Sequence, residues 1–390
     1  MKQNRFSIEC FSSIDDQCLV DAWNRLAETG TGTAFQSYDY VSAVHNAFFE
    51  NGSHKPHYVA LRDQADNRIV LIISMVERRR LNLRILETLD YDVIDYARPI
   101  YCPDVFSERS AADQATIAFL EYASKFDVLK SKNWSIGAGA LEGVQPLLDK
   151  SPRTCEVTYS VPLLAEQFES YRKSNSAFKQ SLKKMRRMKK EFGAEIDYFT
   201  ETGDIDAAFD KMFEHRRIRF QEIGKMDGMA DPRRQKLFRS IARQRCPKKE
   251  ALFLGIRIND DWIATSFALI QNGVMNAQLS SFADGAWSRH SPGVVTMALE
   301  IEWAYANGLK TYNLGPGIAS YKRRFGVDEL HRVIVKEPMS PVGTLYLAAH
   351  RTKRGLKDAV KKTLSILPDY KLPKTGDGSS FKGQTQSLGI

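Results

Sequence analysis

Apolar positions recur at helical spacing in residues 17–29, at Leu19, Val20, Trp23, Leu26 and Ala27, and a second amphipathic run covers Tyr38 to Phe49. Both read as core-facing helices. His57 to Leu61 and Ile69 to Val76 are apolar runs separated by the polar turn 63–67, which predicts an antiparallel hairpin. The mixed aromatic and acidic stretch Ile85 to Tyr101 reads as short strands and loops. Ala111 to Phe126 predicts a helix with Ile117, Ala118, Leu120, Tyr122 and Ala123 mostly on its buried side, and Trp134 to Ile136 begins the next strand. Pro146 and Pro152 punctuate a loop, and Val157 to Val161 alternates as a strand does.

A second cycle follows. Phe168 to Phe192 predicts one long basic helix, Ile205 to Ile223 a second and Pro232 to Gln244 a third. Leu252 to Ile258 and Trp262 to Ile270 form another hairpin about an Asn-Asp-Asp turn, and Met275 to Phe282 is a further strand. Helices, a strand hairpin, a connection, a helix and a strand therefore occur around residues 17–136 and again around 205–314. The expectation is an α+β protein of two similar halves, divided as 1–160, 161–340 and a C-terminal 341–390 segment. In that last segment Leu345 to Leu367 sets Leu356, Val360, Leu364 and Leu367 on one face and six Lys or Arg residues largely elsewhere, a basic amphipathic helix suited to a membrane surface. From Lys374 the Gly, Ser, Lys and Gln content predicts disorder.

Composition narrows the class. With 390 residues, 43% hydrophobic and 11% aromatic, the chain can build two cores. A formal charge of +9 favours anionic partners without choosing among a phosphorylated cosubstrate, a membrane surface and nucleic acid. Cys10, Cys18, Cys102, Cys155 and Cys246 show no paired spacing, so neither a disulfide framework nor a zinc site is expected, and a reducing, cytoplasmic location fits. His54 and His57 lack further ligands, and no metal is expected. The Gly-Pro-Gly at 315–317 and the Gly-Ala-Gly at 137–139 fail as dinucleotide fingerprints.

The chemistry concentrates between Ser281 and Gly326. Ser291 fits an N-cap, Pro292 the first helical position and Gly293 the next, where no side chain blocks a ligand. Free amides at such a helix start, the positive end of its dipole and Arg289 just upstream suit a phosphate group. The matching place in the first half, 107–116, has no glycine. Between Ser170 and Lys190 nine Lys or Arg residues occur with no acid among them, above Phe178, Leu182, Met185 and Met188 at helical spacing, so this helix is either solvated or an anion clamp.

The loop Asp284-x-x-x-x-Arg289-x-Ser291-Pro292-Gly293, a helix ending in Asn307-Gly308, a strand and then Tyr321-Lys322 resemble the acetyltransferase domain of the GNAT superfamily. The pattern is similar in particular to double-GNAT proteins of the CelD-like branch, related to the FemABX peptidyltransferases. The resemblance implies two tandem GNAT-like halves, each a mixed, mostly antiparallel sheet with flanking helices. It implies that Arg289, Ser291, Pro292, Gly293 and Val294 hold the pyrophosphate of an acetyl-CoA or acyl-CoA cosubstrate, with no tightly bound cofactor. It also implies that Met275–Phe282 and Thr311–Leu314 are central strands that splay around the thioester. The usual Arg/Gln-x-x-Gly-x-Gly/Ala loop is partly kept: Arg289 and Gly293 are four apart, and Val295 replaces the second small residue.

Acyl transfer needs a deprotonated acceptor, oxyanion stabilisation and a proton for the leaving thiolate. Tyr321 is the candidate proton donor, Lys322 the candidate oxyanion partner and His215 the candidate base. Lys183, Arg186, Arg187, Arg219 and Asp284 are the candidate acceptor-binding residues. The expected function is acyl transfer to an amine or hydroxyl of a saccharide or cell-envelope precursor by the second half. The alternatives are FemABX-like transfer from aminoacyl-tRNA, with the 170–190 helix contacting tRNA, and a non-catalytic component at a membrane surface held by residues 345–367.

Overall fold

The computed structural model describes residues 4–29, 31–49, 54–80, 82–135, 154–317 and 320–364. In chain order the elements are β1 (Phe6–Phe11), α1 (Gln17–Ala27), α2 (Tyr38–Phe48), β2 (Lys55–Asp63), β3 (Arg68–Arg80), β4 (Leu83–Thr88), β5 (Ile100–Tyr101), α3 (Arg109–Ala123), β6 (Val128–Ser135) and β7 (Thr154–Pro162). They continue with α4 (Ala165–Ser174), α5 (Ser176–Phe192), β8 (Glu195–Tyr198), α6 (Thr202–Glu222), α7 (Pro232–Arg245), β9 (Ala251–Ile258), β10 (Asp261–Gln271) and β11 (Val274–Phe282). The last are α8 (Pro292–Ala306), β12 (Thr311–Pro316), α9 (Ser320–Phe325), β13 (Asp328–Pro338) and α10 (Pro341–Leu364). The loop about Pro146 and Pro152, the Gly-Ala-Gly, Ile136 and the tail beyond Leu364 lie outside the described residues.

The chain forms two compact units, one of residues 1–156 with 331–390 and one of residues 157–330. Unit 1 has the strand order β1-β2-β3-β4-β6-β13, in which neighbours are antiparallel except for the parallel pair β4–β6. One sheet face buries Val59, Leu61, Val70 and Leu86 against Ala115, Phe119 and Phe126 of α3 and the turn that follows it.

Unit 2 repeats the plan as β8-β9-β10-β11-β12-β7, with β11–β12 the parallel pair. Helix α8 is apolar on most of its circumference because it lies between the sheet and α5. Its Val295, Ala298, Ile301 and Ala304 are fully buried, and burying a Val or Ile contributes about 1.5–3 kcal/mol. Leu254, Ile256, Met275 and Tyr312 meet it from the sheet. Helix α6 packs against β10 and β11. Both units are thus α+β with mixed, mostly antiparallel sheets and flanking helices, as expected. Unit 1 takes its sixth strand from across the chain: β13 follows unit 2 in sequence, whereas β7 simply opens unit 2.

Some expectations need correction. The stretch 168–192 is two helices. Asn175, with ψ 108°, breaks it, and its Oδ1 accepts the Phe178 amide at 2.9 Å to start α5. Tyr321-Lys322-Arg323-Arg324, expected only to follow a strand, forms the body of the short helix α9. Ile117 faces outward at 53% exposure, because Ala115, Ala118, Phe119 and Tyr122 supply the buried stripe of α3. Strands β1, β8 and β13 were not expected. Among the described residues no helix is long and apolar enough to cross a membrane, and the side chains of α10 are described only as far as residue 352.

Candidate functional site

The parallel ladder of unit 2 is short. Val274 pairs with Thr311, Met275 with Tyr312 and Asn276 with Asn313, and there the ladder ends although β11 runs on to Phe282 and β12 to Pro316. Just past this point β11 carries a bulge: Leu279 opposes Phe267 and Ala277 opposes Ala268, so Gln278 is the extra residue. Gly315, with φ +73°, lets β12 pass the Ala277 carbonyl, whose oxygen would lie 2.7 Å from any Cβ placed there. The result is a stretch of two central strands whose facing backbone is not consumed by the ladder.

Helix α8 opens beside that stretch. Ser291 occupies the N-cap, but its φ of +52° is in the left-handed region and its side chain makes no cap. Its hydroxyl instead receives a hydrogen bond from Lys184 Nζ of α5 at 2.8 Å. Its carbonyl accepts the amides of Val294 at 2.9 Å and Val295 at 3.1 Å. Pro292 has no amide, so Gly293 supplies the remaining first-turn N–H. The glycine is also a packing requirement, since a Cβ there would stand 2.5 Å from the Phe282 ring.

Cations gather at this helix start. Arg289, exposed, donates from Nε to Nε2 of buried His290 at 3.0 Å. Burial first, and then the positive charges of Arg289, Arg187 and Lys184, hold the His290 pKa below its ordinary value, so the ring stays neutral and can accept that bond. Lys184, Arg187 and Arg289 therefore surround one loop that ends at a helix N-terminus, a setting that suits an anion. Lys184 was not among the expected site residues. The signal was its register, since it falls with Ser181, Met185 and Met188 on the inward stripe of an otherwise solvated basic helix.

Phe282 links the other candidates. The Arg219 guanidinium stacks over its ring at 4.3 Å. Burial raises the Tyr321 pKa, against the opposing charge of Arg219, so the phenol is a proton donor at neutral pH. Lys322 Nζ donates to the Pro316 carbonyl at 2.7 Å, at the end of β12. His215 of α6 is buried, its Nδ1 lies 3.4 Å from the Ser281 hydroxyl of β11, and burial lowers its pKa so that it is neutral. Asp284 is exposed, and its Oδ1 accepts the Ser288 hydroxyl at 2.7 Å. The structure thus places Arg219 and Gly293 against Phe282, with Tyr321 within electrostatic reach of Arg219, and Arg187 with Arg289 near His290. Lys183 and Arg186 line a separate open groove of about 610 Å³ with Arg172 and Lys179, floored by Phe178 and Leu299.

Unit 1 treats the equivalent place differently. Past the β4–β6 ladder, Thr88 Oγ1 accepts the Lys132 amide at 2.9 Å and Lys132 is ion-paired to Asp90 and Asp92. Asn133 Nδ2 donates to Asp90 at 3.1 Å, and Arg332 Nη1 donates to Asn133 at 2.9 Å. The chain's own side chains occupy that gap, and the helix that follows has Glu108 at its N-cap.

Residues 176–323 match a family model described as the acetyltransferase (GNAT) domain. No curated protein sequence matches the chain. Among solved structures, the C-terminal domain of a putative lysylphosphatidylglycerol synthetase from Agrobacterium fabrum aligns over 84% of this chain and 94% of its own, at 11% identity and TM-score 0.53. A conserved protein of unknown function from Bacteroides thetaiotaomicron aligns over 81% and 97%, at 9% identity and TM-score 0.51. FemX aligns over 83% and 96%, at 9% identity and TM-score 0.51. At such identities the likeness is one of fold.

Proposed function

With residues 176–323 taken as a GNAT acetyltransferase domain, we propose that the chain is an acyl-CoA-dependent acyltransferase whose chemistry resides in unit 2. The acceptor we assign is an amine or hydroxyl on a saccharide or cell-envelope precursor. The observation that carries this reading is the coincidence of a truncated parallel ladder, a bulge at Gln278 and a cation-rich helix start in unit 2, against a plugged gap in unit 1. An acyl thioester supplies an activated carbonyl; the remaining steps fall to side chains of this chain.

In this reading Lys184, Arg187, Arg289 and the Gly293 amide hold the pyrophosphate, and Pro292 fixes the helix start that presents them. Ser291 orients Lys184, while the amide of Val294 stays committed to the Ser291 carbonyl. His215, kept neutral by burial, takes the proton of the attacking amine or hydroxyl. Lys322 stabilises the oxyanion and Tyr321 gives its proton to the departing thiolate. Arg219 and Asp284 would hold the acceptor. The test is isothermal titration with CoA and acetyl-CoA. Binding by wild type, weakened at least tenfold by Arg289→Glu, is the expected result; no binding of either ligand sinks the proposal.

A second reading, aminoacyl transfer from tRNA, draws on the groove lined by Lys179, Lys183 and Arg186. It predicts tRNA binding whose affinity falls steeply and linearly on a log scale with salt. Salt-independent or undetectable tRNA binding removes it.

A further inference from the structure

The last rung of the parallel ladder is made by two asparagines, and they leave an odd remainder. Asn276 is 0% and Asn313 8% exposed. Asn313 Nδ2 donates to Asn276 Oδ1 at 2.9 Å. Asn276 Nδ2 and Asn313 Oδ1 are buried without a partner. Exchanging N and O in both side chains preserves the bond and again leaves one amino group and one carbonyl oxygen. Whatever the assignment, the pair shows one donor and one acceptor side by side, at a place where an unmet polar group is costly.

Their direction follows from strand alternation. Met275 and Tyr312, their neighbours on each strand, pack with Val295 and Ala298 of α8, so the asparagines point to the opposite face. On that face α6 covers β10 and β11, and Ser160 of β7, 3% exposed, stands across the ladder from Asn313. A buried polar row, Asn276, Asn313 and Ser160, thus crosses three strands on the side away from the helix start that gathers the cations. Beyond it no ladder holds β11 to β12.

We propose that this pair recognises a carboxamide on the acceptor. The ligand's carbonyl would accept from Asn276 and its N–H would donate to Asn313, which matches the remainder in number and polarity. The acceptor class is then an amine or hydroxyl compound that also carries an amide, such as an N-acylated sugar or an amino-acid amide. The choice of acceptor over the cosubstrate, whose pantetheine arm also has amides, rests on the face. This inference rests on the acyl-transfer reading only for naming which substrate the amide belongs to.

The test uses protein labelled with ¹⁵N at asparagine, and two probes that differ by one group, alaninamide and alanine methyl ester. Alaninamide is expected to shift the side-chain resonances of Asn276 and Asn313 and to bind about tenfold more tightly than the ester. Asn313→Leu, which keeps the volume but removes the acceptor for the ligand N–H, should bring the two probes within twofold, with a cooperative thermal melt showing that the variant is folded. Equal binding of both probes to wild type overturns the inference, as do shifts of these resonances by CoA alone. Amide preference without thiolate release from acetyl-CoA would support the inference and count against the acyltransfer reading. Thiolate release that proceeds equally with both acceptors would do the reverse.

Discussion

Glu300 lies in the middle of α8, 2% exposed, with its carboxyl on the Tyr312 hydroxyl of β12. Burial pushes its pKa from 4.5 up to about 7, with the Tyr312 bond opposing the rise. In the unfolded chain the group ionises near its ordinary value. Between roughly pH 4.5 and 7 the folded state therefore holds a proton that the unfolded state has lost, and stability falls as pH rises through that window. A shift from 4.5 to about 7 corresponds to about 3 kcal/mol. Glu300→Gln keeps the shape and the acceptor for Tyr312 but cannot ionise. At pH 4, below both values, the two proteins should melt alike. By pH 8 the glutamine variant should be the more stable by about 3 kcal/mol, roughly 6–12 °C for a cooperative unit of this size. Thermal melts at half-unit steps from pH 4 to 8 give the difference curve, in which the histidines common to both proteins cancel. Parallel curves across the window would refute the reasoning, since they would mean that the carboxyl is not desolvated as its position requires.

Gly293→Ala should lower stability by about 1–3 kcal/mol, because its methyl group meets the Phe282 ring and the start of α8 must shift; a CoA titration in the same variant should show weaker binding, and native values of both would disprove the packing argument. Lys184→Ala should weaken CoA at least fivefold and Lys184→Arg less, read by calorimetry, whereas Lys183→Ala, in the separate groove, should leave CoA affinity within twofold. Tyr321→Phe should lower kcat by about 10²–10⁴ with little change in KM, as removal of a general acid does; thiolate release measured with excess acetyl-CoA distinguishes this from lost binding.

The hairpins and main helices were legible because their periodicities are long and uninterrupted. Leu252 to Ile258 and Trp262 to Ile270 are such runs, and so is α8. Strand β8 was hidden because it is a four-residue edge whose Glu195 and Asp197 serve ion pairs with Arg257 rather than a core. Strand β13 was hidden because its apolar run, Val333 to Val335, is only three residues long and charged residues flank it. The break at Asn175 depends on a single side-chain cap inside a strongly helical stretch. At the candidate site, Ser-Pro-Gly announced a helix start, yet the left-handed Ser291, its bond from Lys184 and the ring beneath Gly293 are long-range facts that local spacing does not encode. Asn276 and Asn313 are 37 residues apart, and only the parallel register makes them neighbours.

The late closing strand of unit 1 has a consequence for synthesis. When the ribosome has finished β6, the strand that will lie along its free edge, β13, is still unmade, and all of unit 2 must be translated first. At about 5–20 residues per second that delay is roughly 10–40 s. For that interval the nascent first half carries an exposed β edge, the feature most open to pairing with another chain. A cut near residue 160 would make the exposure permanent, so the halves cannot be exchanged or expressed as cassettes along the line that their internal repeat suggests.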